Sequence, residues 1–456
     1  MPHSGQHEQT GWVYKTRVAL TVLFFGILPW QTRWIYRASP IHPDAEWGRL
    51  SLYASELLLA VFLIGALVRW FVQWRRGAVR WQTFTRERWW LVGALAVLLY
   101  GVLRSVLNDD SSAGLQHTWW ILEAILVAIF LHTGWFPWRA AVRGVIVGLS
   151  IAAVFGIYQA MVQYVPGSTW FGSAEHRPEW GGSSVVETAE TRFLRAYGPF
   201  PHPNIFGGYL VLALILVIAR ADFNRPEAIP SELRGLSGLL RRSQGSLLAM
   251  TILFSIALAL SFSRSAWIAW IVAMFVAMAW RKKHALFPVV VSVLTMGVVL
   301  GALWPVTITR FDRTARLESR AIEERTASIA DGIAAWKQTP WFGVGPAQYM
   351  NTFFVQHPDT PWWQLAPPHN VFILMLVEYG VTGALLVIVM DVLFLWYLAW
   401  RGGSRALLWF LPLVLLMQFD HYLWSLYSGV MLVGLYAGFC AHFIHTLPTL
   451  RAHESS

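Results

Sequence analysis

Twelve stretches of this chain are oily over something near the length of a bilayer crossing, about 20 residues when helical. They run 18 to 36, 50 to 72, 89 to 107, 118 to 134, 141 to 164, 204 to 220, 246 to 262, 265 to 280, 285 to 306, 369 to 400, 405 to 419 and 424 to 446, with Pro29 and Arg33 interrupting the first. Nothing else restricts the fold so strongly, because backbone N–H and C=O groups in hydrocarbon must be satisfied within the protein. The expected fold is therefore an all-α polytopic membrane protein with about twelve transmembrane helices. Composition agrees: 56% of residues are hydrophobic, only 13% are charged, and the mean hydropathy is +0.48. The single cysteine, Cys440, excludes disulfides and thiolate metal sites within one chain. The N-terminus lacks a small-residue cleavage pattern, so the first hydrophobic segment is expected to remain as an anchor.

A formal charge of +10 invites a nucleic-acid reading, but topology accounts for it first. With the N-terminus inside, the cytoplasmic loops collect most of the cations, among them Lys15, Arg17, Arg75, Arg76, Arg80, Arg86, Arg88, Arg139, Arg143, Arg220, Arg225, Arg234, Arg241, Arg242, Arg281, Lys282, Lys283, Arg401, Arg405 and Arg451. Both termini are then cytoplasmic, and nucleic acid is not an expected partner. The chain divides into N-terminal transmembrane helices (1–164), an outer loop (165–203), central helices (204–306), a larger outer loop with helices (307–367) and C-terminal helices (368–456). Both loops exceed ordinary connection lengths.

The outer surface gathers the chemically interesting residues. In "PPHNVFILMLVEYGVTGALL", from Pro367 to Leu386, two prolines stop the loop and His369 or Asn370 starts a descending helix. A helix N-terminus disfavours imidazolium, so His369 should be neutral and able to accept a proton, as a general base must. An interfacial histidine bonded to a neighbouring loop would stand in the same place. Gly380 and Gly383 lie about 16 to 20 Å deeper and allow close helix contact or a bend. "LSFSRSAWIAW" joins two crossings with almost no loop, which fixes Arg264 at headgroup depth, where an arginine snorkelling to lipid phosphate would also sit. In "RFLRAYGPFPHPNIFGGYL", Arg195 precedes a helix for which Gly198 and Pro199 set a turn and Asn204 is a candidate N-cap. His202, between two prolines, reads as a positioned loop residue.

In the second loop Ile322, Ile329, Ile333 and Trp336 form a helical stripe that includes Arg325. An arginine there needs an acid such as Glu318 or Asp331, or an anionic ligand. Asp109 and Asp110 could hold a divalent metal or simply face water, and no His and Cys cluster offers a zinc site. Asp420 and His421 also face outside and could orient a catalytic group or pair with each other. Glu56, Arg104, Glu123, Glu378 and Asp391, inside expected helices, need partners or a wet cavity. No strong inverted repeat supports a transporter.

Four stretches in order, "RAYGPFPHPNIFGGYL", "SFSRSAWIAW", "RTASIADGIAAWKQTPWFGVGPAQY" and "HNVFILMLVEYGVTGALL", resemble the O-antigen ligase and polymerase superfamily of polytopic bacterial glycosyltransferases. The last fits the ligase pattern of His-Asn, nine residues, then Gly-x-x-Gly. The resemblance implies a GT-C-like glycosyltransferase fold in the bacterial inner membrane with a periplasmic active site. It implies a donor glycan on undecaprenyl diphosphate, lipid A-core as acceptor, contact with membrane lipids, and no metal or other cofactor. The histidine matching His369 would activate the acceptor hydroxyl, and arginines matching Arg264, Arg325 and Arg195 would hold the lipid diphosphate. Asn370, His202, Arg313 and Asp420 are secondary candidates. An Arg-x-x-x-Leu pattern of some ligases falls at Arg313 to Leu317, whereas Arg264 is followed four residues later by Ile268. A polymerase or a protein O-oligosaccharyltransferase would use the same donor, and a polyprenyl-glycan transporter would bind it without chemistry.

Overall fold

The computed structural model describes residues 11–43, 45–76, 89–223, 237–361, 364–402 and 404–454. The expected inner-loop cations Arg80, Arg86, Arg88, Arg225 and Arg234 lie outside the described residues.

Helix α1 (Trp12–Ile27) is followed by an antiparallel ribbon of β1 (Arg33–Arg37) and β2 (Leu50–Tyr53). Four long helices come next: α2 (Ala54–Arg75), α3 (Trp89–Val106), α4 (Ser111–His132) and α5 (Trp138–Val162). A second antiparallel ribbon, β3 (Val185–Glu187) with β4 (Arg192–Leu194), leads into α6 (Pro203–Phe223) and α7 (Ser237–Leu260). Then follow α8 (Arg264–Ala302), α9 (Trp304–Thr309), α10 (Arg316–Gln338), α11 (Tyr349–Gln356) and α12 (Val371–Gly402). A 3-10 turn (Ser404–Phe410) and the short α13 (Leu411–Phe419) and α14 (Tyr422–Ser425) precede α15 (Tyr427–Glu454).

Among the described residues, six helices or parts of helices are long and apolar enough to cross a membrane: Ala54–Arg75, Trp89–Val106, Ser111–His132, Trp138–Val162, Ala285–Ala302 and Val371–Arg401. Apolar side chains such as Leu57, Val61, Ile64, Leu67 and Val68 on α2 face outward, as hydrocarbon rather than water requires. The chain is thus a mostly helical, multi-pass membrane protein, although the two ribbons correct the all-α expectation. The first oily stretch, expected over 18 to 36, is helical only to Ile27. Pro29, which has no N–H to extend the helix, lies just beyond, and the following residues pair as β1 instead.

Helix α8 covers two of the expected stretches in one continuous assignment, yet it is not straight. Trp270 Nε1 donates to Ser292 Oγ at 3.0 Å, although 22 residues of straight helix would separate them by about 33 Å. Its two halves therefore lie side by side, and the second half carries Pro288. The return brings Arg310, just past α9, back beside the start of α8: Arg264 Nη1 donates to the Arg310 carbonyl at 2.9 Å.

Helix α12 is broken where the glycine pair invited it. Gly380 adopts φ 63° and ψ −176°, in the region that favours glycine. The peptide groups released by the break find partners in the loop after α10. Val344 and Gly345 N–H donate to the carbonyls of Val377 and Glu378 at 2.9 and 2.8 Å. In return, Val381 and Thr382 N–H donate to Pro340 and Trp341 at 2.8 and 3.0 Å. The expected bend thus has a complete hydrogen-bond account.

Candidate active site

One end of the bundle, where α6, α8, α12 and α14 begin and α7 ends, is rich in buried polar groups. Gln159 of α5 fixes the backbone before α6, accepting from Tyr197 N–H at 3.1 Å and donating to the Gly198 carbonyl at 2.9 Å. This holds Arg195 in the interior. Its guanidinium donates to the Ser261 carbonyl and to Asn204 Oδ1, both at 2.7 Å. Asn204 Nδ2 donates in turn to Asp420 Oδ2 at 2.7 Å. Asn204 was expected as an N-cap, but His202 takes that place: its Nδ1 accepts from Asn204 N–H at 3.1 Å. The amide is thereby free to join Arg195 to Asp420.

Asp420, the buried extended residue after α13, also accepts from His421 N–H at 2.8 Å. Asn370 is the N-cap of α12, its Oδ1 accepting from Ile373 N–H at 3.1 Å while its amide donates to the Gln418 carbonyl at 3.2 Å. That ties the start of α12 to the end of α13 and brings His369 to Asp420. The His369 and His421 rings meet edge-on at 5.4 Å, and Nδ1 of His369 is buried without a hydrogen-bond partner.

Burial lowers the pKa of His369. Asp420 opposes this, and the positive charge of Arg325 adds to it. Burial also takes His202 down to about 3 and His421 to about 4. For Asp420 burial acts upward, but the surrounding imidazoles, His421 first, and the Asn204 amide outweigh it and keep the carboxyl low. At neutral pH the cluster is one carboxylate among neutral imidazoles. One ligating atom from each of His369, Asp420 and His421 lies within 4.8 Å of the others. That is the best candidate cation site among the described residues. However, the spread is wider than a first-row metal shell with bonds near about 2.1 Å, and the Asp420 oxygens and His421 Nδ1 already have protein partners. The group fits a hydrogen-bond network better than a metal.

A second cluster stands beside it. Glu318, buried on α10, bridges Arg264, at 3.1 Å, and Arg310, which makes the closer contact. Arg310 also donates to the Phe262 carbonyl at 3.2 Å. Glu318 had been one expected partner for Arg325, but it is committed to these two arginines. Arg325 has no side-chain partner among the described residues. Its charge bears on His369, His202 and Arg195 and also on Arg264 and Arg310, which puts it between the two clusters.

The packed face of α10 differs from the isoleucine stripe expected. Ile322 and Ile333 are exposed, while Glu318, Ser328, Gly332 and Ala335 are buried, with half-buried Arg325 on the same side. Small residues are required because α10 lies close to the start of α12: a Cβ on Gly332 would sit 2.6 Å from Pro368 Cγ. Among the secondary candidates, His202, Asn370 and Asp420 join the site, while Arg313 is exposed and apart from it. Asp109 is exposed and Asp110 pairs with Arg37 at 2.7 Å, which commits the acid once considered for a metal.

The residues absent from the sequence reading are Arg310 and Ser425, whose hydroxyl lies 2.7 Å from His421 Nδ1. Neither carries a local signal, since Arg310 resembles any arginine after an oily stretch.

The fold and this end of the bundle define a polytopic membrane protein with a buried carboxylate–imidazole cluster beside fixed arginines. Residues 249–388 match the family model described as O-antigen ligase, which supports a relationship of this part of the chain to the O-antigen ligase and polymerase superfamily without separating the two. Members of that family are membrane enzymes that transfer glycosyl groups. The matched segment contains Arg264, Arg310, Glu318, Arg325 and His369. No curated protein matches the chain.

Proposed function

We propose that this protein is an O-antigen ligase of the bacterial inner membrane, with about twelve crossings, a GT-C-like fold and both termini in the cytoplasm. It transfers a glycan from undecaprenyl diphosphate to lipid A-core oligosaccharide on the periplasmic side, without a metal. The observation that carries this reading is the juxtaposition of His369, lowered in pKa and without a hydrogen-bond partner at Nδ1, with Arg325, a cation with no acidic partner among the described residues.

An acceptor hydroxyl attacks the anomeric carbon of the donor sugar and gives its proton to His369. The new C–O bond forms as the bond to the diphosphate oxygen breaks, and the electron pair leaves with the diphosphate. Arg325 and Arg264 stabilise that developing charge, since guanidinium forks match phosphate oxygens and remain protonated. Each close charge pair is worth on the order of 4 kcal/mol at 4 Å and an effective dielectric of 20. Arg195, committed to Ser261 and Asn204, contributes by holding Asp420 rather than by meeting the lipid directly.

The test is a transfer assay with purified full-length protein and undecaprenyl-diphosphate-linked glycan. Lipid A-core, a second lipid-linked unit and a pilin-like protein are offered as separate acceptors, with wild type and His369→Ala, in the presence of EDTA. Product on lipid A-core that disappears in the variant is the expected result. Product on another acceptor makes the protein a polymerase or protein O-oligosaccharyltransferase. Donor binding without transfer to any acceptor points to a polyprenyl-glycan transporter.

A further inference from the structure

The proposed transfer releases one proton for each glycosidic bond formed, because the diphosphate leaves as an anion and takes none. His369 is mostly enclosed, so a base that turns over needs an exit for that proton. The structure has a suitable series of groups on the side of His421 away from His202. His421 Nδ1 lies 2.7 Å from Ser425 Oγ. The Ser425 hydroxyl also donates to the His421 carbonyl at 3.2 Å. A carbonyl only accepts, so in that arrangement Nδ1 carries hydrogen and Nε2 is bare towards Asp420, whose Oδ1 is 3.9 Å away.

Ser425 also lines a small cavity of about 50 Å³ with mixed walls, whose polar members include Glu46, Arg49, Gln116, His117 and Glu378. His117 indicates what fills it. Its Nε2 lies 2.8 Å from the Trp424 carbonyl and must donate, which leaves Nδ1 a buried acceptor with no protein partner. Water entering the cavity would supply the missing donor, and the volume suits one or two molecules but not a sugar ring. Glu46 and Arg49, at the outer rim, are partly exposed and joined by a 2.8 Å salt bridge.

We infer that His421, Ser425 and the water-filled cavity form a proton-exit relay that restores His369 after each transfer. This rests on the transferase reading above. The proton passes from His369 to His421 Nε2, while the hydrogen on His421 Nδ1 moves to Ser425 Oγ. The Ser425 hydroxyl then gives a proton to cavity water. Rotation of the Ser425 hydroxyl and return of His421 from the Nε2–H to the Nδ1–H tautomer, by reorientation of the ring, restore the starting state, and one proton has left. The charged and titratable groups facing the relay are Asp420 beside His421, Arg325 and Glu324 of α10 near His369, His202 before α6, and Glu378, His117 and the Glu46–Arg49 pair around the cavity.

The experiment compares wild type, Ser425→Ala and Ser425→Thr in the transfer assay across pH, in heavy and light water, with and without added imidazole. Ser425→Ala should lose about tenfold or more in kcat with unchanged donor KM, gain a larger solvent isotope effect, and recover with imidazole. The threonine variant keeps the hydroxyl and should remain near wild type. Two results overturn the relay: Ser425→Ala matching wild type at every pH, or a loss that neither imidazole nor threonine restores. If wild type transfers to no acceptor, the transferase reading fails and the relay with it. If wild type transfers and Ser425→Ala is unaffected, only the relay fails.

Discussion

Two buried carboxylates a short distance apart organise this end of the bundle, and their surroundings differ in kind. Asp420 lies among imidazoles that are neutral bases at neutral pH, held through Asn204 by one distant arginine. Glu318 lies between two guanidiniums that keep their charge. The first offers groups that can take up a proton, and the second holds two cations in place. Arg325 stands between them, on the same helix as Glu318 but acting on His369. A glycosyl transfer to an alcohol needs both functions together, since a proton leaves one partner while negative charge grows on the other.

Breaking the proton side has the largest expected effect. His369→Ala should lower kcat by about 10²- to 10⁴-fold, the range for general-base contributions, with donor binding retained. Unimpaired turnover would place the base elsewhere. On the cation side, Glu318→Gln leaves Arg264 and Arg310 without their shared counter-ion and should destabilise the protein by about 3–5 kcal/mol, read as a lower thermal unfolding midpoint. An unchanged midpoint would mean that solvent, rather than Glu318, neutralises these arginines.

The smallest effect links the two regions. His369 is held below the ordinary imidazole value of 6.5, so at neutral pH it is already the free base. Activity should therefore persist as pH falls through 6.5 and decline only below it, as the imidazole binds a proton. Because the charge of Arg325 lowers this pKa, Arg325→Ala should move the acid limb to higher pH as well as weaken donor binding. A limb that stays in place while binding weakens would separate Arg325 from the base.

The sequence disclosed what depends on chain-local rules. His369 and Asn370 were legible because prolines and an asparagine cap start a helix, Arg264 because two oily segments leave it no room to move, and Gly380 because a glycine pair marks a bend. The connections between segments were not legible. Asp420, Asn204 and Arg195 are joined only after α6 and α13 meet, and Arg310 reaches Glu318 only because α8 doubles back. The inward face of α10 was misread for a physical reason. Close approach to Pro368 demands glycine, so α10 packs through its small residues and leaves Ile322 and Ile333 exposed.

The break in α12 has a consequence for how substrate must reach the site. The loop after α10 is threaded into the gap at Gly380, Gly332 abuts Pro368, and Glu318 anchors the other end of α10 to the α8 region. Fastened at three places, α10 does not swing over a ligand as a lid would. The distance between Arg325 and His369 is set in the free protein, so under the proposed reading recognition becomes a matter of delivery, with a lipid-borne anion brought to stationary charges.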